Sequence, residues 1–69
     1  MNNPHMLPNE TNADFCRRMG YTVGTRLVGD EGYGPEVIEL TAIGERLILA
    51  KGADREGLRM LQFRDWKRE

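Results

Sequence analysis

Serine is absent from this chain of 69 residues, and cysteine, histidine and tryptophan occur once each. Without serine there is no serine nucleophile. One thiol, Cys16, can neither close an internal disulfide nor supply a cysteine cluster for a metal. The one imidazole, His5, follows Pro4 in a stretch without periodicity, where nothing nearby would hold it as a general base. No apolar run approaches the ~18 residues of a membrane-crossing helix. The opening MNNPHMLPNETN lacks the basic and apolar regions of a secretory signal. Charge of one sign is missing too: 10 Lys and Arg stand against 11 Asp and Glu, a net charge of −1. Such a balance creates no general field for nucleic acid or an acidic membrane. These absences lead us to expect a chain that is not an enzyme, needs no cofactor or metal, and avoids membranes. It must stand on its core or on a partner, in a compartment that does not require disulfides.

What is present reads as one small domain over residues 11–69, preceded by an arm over residues 1–10. The arm holds two of the three prolines and three of the four asparagines, so it is expected to be flexible or loosely docked. A helix of about two turns is predicted over residues 13–19. Asn12 is its expected N-cap, Asp14 lies near the positive end, and Arg17 and Arg18 lie near the negative end. Gly20 follows as an αL stop. Phe15 and Met19 share a face with Cys16 beside them, which suggests a buried, inert thiol.

Strand and turn signals follow. Residues 21–28 (YTVGTRLV) favour a strand bent at Gly24. Residues 29–35 (GDEGYGP) are too rich in glycine for regular structure and form a loop. Residues 36–43 (EVIELTAI) alternate cleanly, Ile38 and Leu40 on one side, Val37 and Glu39 on the other. Gly44-Glu45 suggests a two-residue hairpin turn. Residues 46–51 (RLILAK) are apolar on both faces. Residues 58–63 (LRMLQF) form a last strand or a helical turn. The fold class is therefore mainly β: a small SH3-like antiparallel barrel or curled sheet of four or five strands with one short N-terminal helix. The expected core is Phe15, Met19, Val23, Leu27, Ile38, Leu40, Ile43, Leu47, Leu49, Leu61, Phe63 and Trp66.

Two surfaces are candidates for function. Residues 29–45 hold Asp30, Glu31, Glu36, Glu39 and Glu45 and no Lys or Arg. The glycine loop does not bind phosphate, because Asp30 and Glu31 would repel it and the spacing matches no phosphate motif. Nor does it space oxygens as a calcium loop does. Tyr33, flanked by Gly32 and Gly34, is instead predicted to project at the loop tip. With Asp30, Glu31 and Glu36 it would form a protein-binding surface for a basic partner. The alternative is nucleic-acid binding through Arg59, Arg64, Trp66, Lys67 and Arg68, with Trp66 stacking on a base. A tryptophan that closes one end of a barrel is the plainer reading. The acidic and basic poles also suit self-association, so a homodimer is a possible partner state.

The loop GDEGYGP, the strand EVIELTAIGE, the strand LILAK and the closing DWK together resemble a family of short uncharacterised proteins of tailed bacteriophages and prophages. The resemblance centres on residues 23–51. It carries no established activity. It implies a small accessory protein of the host bacterial cytoplasm whose partner is a host or phage protein.

Overall fold

The computed structural model describes residues 3–30, 32–53 and 55–69. Its first regular element is α1, Asn12–Met19. Thr11, not Asn12, caps it: the Thr11 hydroxyl accepts the Asp14 amide N–H at 3.0 Å. Asn12, already helical, points inward. Gly20 closes the helix at φ 77°, donating to the Arg17 and Cys16 carbonyls, and the Tyr21 amide N–H also reaches the Cys16 carbonyl. The buried stripe is Asn12, Ala13, Phe15 and Cys16, while Asp14, Arg17 and Arg18 face water.

Five antiparallel strands follow among the described residues: β1 Arg26–Asp30, β2 Pro35–Ile43, β3 Ile48–Lys51, β4 Glu56–Leu58 and β5 Lys67–Arg68. A 3₁₀ turn, Leu61–Phe63, separates the last two. They form one sheet in the order β4-β3-β2-β1-β5. The architecture is mainly β, as expected, but the sheet is open and the expected barrel closure is corrected. Its edge strands, three and two residues long, do not pair with each other among the described residues. The helix and the 3₁₀ turn supply the cover that closure would have given. One cluster joins Phe15, Cys16 and Tyr21 to Leu27, Ile38, Leu40, Ile48, Ala50, Leu61 and Trp66. Phe15 and Tyr21 meet edge to face, with ring centroids 5.9 Å apart.

The opposite face of the sheet is built for water. Register places Arg26 opposite Glu39, Glu39 opposite Lys51, and Lys51 opposite Glu56. Arg26 also pairs with Glu69 beyond β5 at 3.1 Å. A row of alternating sign thus crosses β1 to β4 and ends on Glu69 just past β5, each neighbouring pair worth roughly 0.2–1 kcal/mol.

Several expected boundaries move. Residues 22–25 form a turn, with the Thr25 amide N–H on the Thr22 carbonyl, so β1 starts at Arg26 and Val23 is exposed. The hairpin after β2 uses four residues, with Ile43 opposite Ile48 and Gly44 N–H on the Leu47 carbonyl. The two added residues alone would keep the phase of β3; the register shift between Leu40 and Ala42, which pairs Leu40 with Ala50, reverses it. Ile48 and Ala50 face inward, whereas Leu47 is exposed and Leu49 only half-buried. Phe63 is also exposed, because the 3₁₀ turn aims Leu61 inward in its place.

Residues 3–10 carry no helix or strand, but Asn3 is buried. Its amide N–H donates to the Gln62 carbonyl and its Nδ2 to the Leu61 carbonyl, both at 2.9 Å. Arg18 donates to the His5 carbonyl and to the Glu10 carboxylate. That guanidinium holds the Glu10 carboxyl below its usual pKa.

Candidate functional site

The loop between β1 and β2 is shorter than the sequence suggests. Gly29 and Asp30 belong to β1 and Pro35 to β2, with Asp30 opposite Pro35. Two details fix its base. The Asp30 amide N–H donates to the Asp65 carboxylate at 3.0 Å, and this bond pulls the Asp65 pKa below the ordinary value. The Asp30 carboxylate turns back into its own loop, accepting the amide N–H groups of Gly32 at 2.6 Å and Gly34 at 3.3 Å. Gly32 and Gly34 sit at φ 108° and 106°, a conformation costly for side-chain-bearing residues. The loop is a small amide nest filled by its own carboxylate.

Tyr33 lies between those glycines and is 94 % exposed. Of the four residues expected to form the contact surface, it is the one presented outward. Asp30 is spent on the loop. Glu36 is half-buried beneath two guanidiniums, with Arg64 at 2.6 Å and Arg59 at 3.5 Å. Glu31 lies outside the described residues.

The basic alternative set is brought partly into this same region. Arg64 bridges from Glu36 to Trp66, its guanidinium 5.6 Å from the ring centroid. The indole is 4 % exposed and rests on Gly29. It caps the core rather than standing ready for a base. Lys67 and Arg68 are exposed on the edge strand β5, and Arg68 lies over the Tyr21 ring at 5.6 Å.

The sequence reading missed the apolar neighbours of this cluster. Leu58, Met60 and Phe63 are 63, 51 and 58 % exposed. They surround a depression of about 250 Å³ together with Glu36, Arg59, Arg64 and Trp66. Of residues 58–63 the sequence places Leu61 and Phe63 in the core, and only the crossing from β4 to the 3₁₀ turn reveals that Phe63 faces out beside Leu58 and Met60.

Among the described residues, no group of three or more His, Cys, Asp or Glu side chains is arranged to hold a metal. Burial pushes the Cys16 thiol up to about 11, which keeps it protonated and unreactive at neutral pH. No helix among the described residues is long and apolar enough to cross a membrane.

A family model, Domain of unknown function (DUF7241), matches residues 10–69. The chain belongs to that family. The matched region contains α1, every strand and the Tyr33 loop, and begins at Glu10, the carboxylate that anchors Arg18. No curated protein and no solved structure matches the chain.

Proposed function

We propose that this protein is a non-enzymatic protein-contact module that uses the loop after β1 to present Tyr33 to a partner. The observation that carries this reading is the combination of a fixed base and an exposed tip. Asp30 and Asp65 hold the backbone, while Tyr33 is 94 % exposed. A preorganised tyrosine loses little entropy on binding, and its ring supplies large apolar area with one polar end. The chain segment that carries Tyr33, residues 29–45, holds five carboxylates and no cation in sequence, with Asp30 and Glu36 engaged within the molecule. A partner with an apolar patch and a basic rim fits it. The resemblance to small tailed-phage and prophage proteins supports a host or phage protein in the bacterial cytoplasm as that partner.

Affinity purification from bacterial cells with Tyr33→Ala as the comparison tests the reading. The substitution should leave the melting temperature unchanged and remove the partner. Asp30→Ala should weaken capture by loosening the loop. The nucleic-acid alternative makes a different prediction: retention on single-stranded DNA that falls steeply with salt. Such retention, unaffected by Tyr33→Ala, would replace the proposal.

A further inference from the structure

We infer that the N-terminal arm is a releasable strap: residues 3–9 lift off the 3₁₀ turn and swing about Glu10 while α1 and the sheet stay folded. These residues precede the family match, which starts at residue 10, and they contribute no strand to the sheet. Much of the arm's shape is its own. The Asn3 side-chain oxygen accepts the His5 amide N–H at 2.9 Å, and the Asn3 carbonyl accepts that of Met6 at 3.3 Å. Leu7 and Glu10 close a second turn: the Glu10 amide N–H donates to the Leu7 carbonyl at 3.2 Å, and the Leu7 amide N–H to the Glu10 carboxylate at 3.0 Å. All four bonds are internal to the arm, so release need break none of them.

Little holds the arm down. Between residues 3–9 and the rest of the fold, three hydrogen bonds are made among the described residues. Asn3 makes two of them, to the Gln62 and Leu61 carbonyls, and the His5 carbonyl accepts the third from Arg18 at 2.6 Å. Met6 packs on the rim of the core, while Pro4, His5, Leu7, Pro8 and Asn9 are exposed. A hollow of about 490 Å³ is bounded by the arm and Gln62, so the arm spans this seam without filling it. The Gln62 Oε1 is buried with no hydrogen-bond partner among the described residues. Few buried contacts and exposed backbone place a segment at the low-stability end of a fold. Glu10 differs, since Arg18 grips both of its carboxylate oxygens, at 2.7 and 2.9 Å, and can keep doing so as the pivot. Opening uncovers the Leu61 and Gln62 carbonyls beside the exposed Met60 and Phe63. That turn then offers two backbone acceptors to N–H donors of the kind Asn3 supplies, a main-chain amide and a carboxamide. The strap thus gates a surface separate from Tyr33.

Amide hydrogen exchange followed by NMR on the full chain tests this, with Asn3→Asp as the variant. In the wild type, the Asn3 amide should exchange at least about 100-fold faster than that of Leu40, whose N–H is bonded to the Thr25 carbonyl within the fold. Low urea should accelerate Leu40 and leave Asn3 unchanged, because local opening exposes little new surface. Aspartate keeps the oxygen that accepts from His5 but sets an acceptor against the Leu61 carbonyl in place of the Nδ2 donor. Asn3→Asp should therefore move the Met6 methyl resonance to its unfolded-chain position while the Ile38 and Leu40 methyl resonances stay in place. An Asn3 amide in the wild type that exchanges as slowly as Leu40 overturns the inference, since the arm would then open only with the whole molecule. So does a Met6 resonance that Asn3→Asp leaves unmoved, or an Asn3→Asp chain in which Ile38 and Leu40 lose their folded positions.

Discussion

Gly29→Ala probes the packing that supports the loop. A Cβ built at Gly29 would lie 2.6 Å from Trp66 Cδ2, 2.7 Å from Cε3 and 3.0 Å from Cε2. Comfortable carbon contacts fall at about 3.5–4.0 Å, so the indole must retreat by about 1 Å. It has nowhere easy to go, being 4 % exposed and covered by Arg64. Overpacking of this kind costs about 1–3 kcal/mol. The backbone at Gly29 is not left-handed, so alanine also recovers roughly 0.4–1 kcal/mol by restricting the unfolded chain. The balance is a loss of about 1–2 kcal/mol, or a fall in melting temperature of about 5–15 °C for a domain of this size. Circular dichroism gives the melting temperature, and Trp66, the only tryptophan, reports its own displacement as a red-shifted emission. Gly57→Ala is the control: a Cβ there meets nothing within 4 Å, so stability should hold or rise slightly. If Gly29→Ala melts at or above the wild-type temperature with unchanged emission, the placement of Trp66 on β1 is wrong.

Further outcomes follow from other contacts. Asn12→Ala removes the acceptor 2.7 Å from the buried Leu61 amide N–H and should cost about 1–3 kcal/mol by chemical denaturation. Cys16 should resist thiol reagents at pH 8 in the folded protein and react promptly in urea. Its thiol is raised from 9.0 to about 11, so the unfolded chain loses its proton first and stability should fall as pH rises from about 9 towards 11; Cys16→Ala should flatten that slope. Glu10 and Asp65 are shifted the other way, below 4.5 and 3.8. Their contributions are complete above those values and vanish as pH falls through the lower folded ones. Glu10→Gln and Asp65→Asn should each reduce the acid sensitivity seen in pH-dependent denaturation.

Much of this fold follows from local patterns. The alternation of Ile38 and Leu40 against Val37 and Glu39 defines β2 without tertiary information, and Gly20 ends α1 where a left-handed residue is needed. Segments without a dominant period are different. RLILAK is apolar on both faces, so its own pattern leaves open whether Leu47 or Ile48 enters the core, and the bulge between Leu40 and Ala42 on the neighbouring strand decides for Ile48. Asn12 suits an N-cap as well as Thr11 does, and only the proximity of Leu61 draws it inward. Barrel closure depends on pairing between distant edges, which no local pattern encodes. The candidate site divides similarly. Flanking glycines already mark Tyr33 as a projecting tip. The convergence of Arg59 and Arg64 on Glu36, and the seating of Trp66 on Gly29, join positions far apart in the chain.

The most direct test of the contact role compares partner retention by the wild type, Tyr33→Phe and Tyr33→Ala, with melting temperatures measured on the same preparations. The account predicts three indistinguishable melting curves, retention by the wild type and largely by the phenylalanine variant, and loss with alanine. Equal retention by all three, or an alanine variant that unfolds, would contradict it.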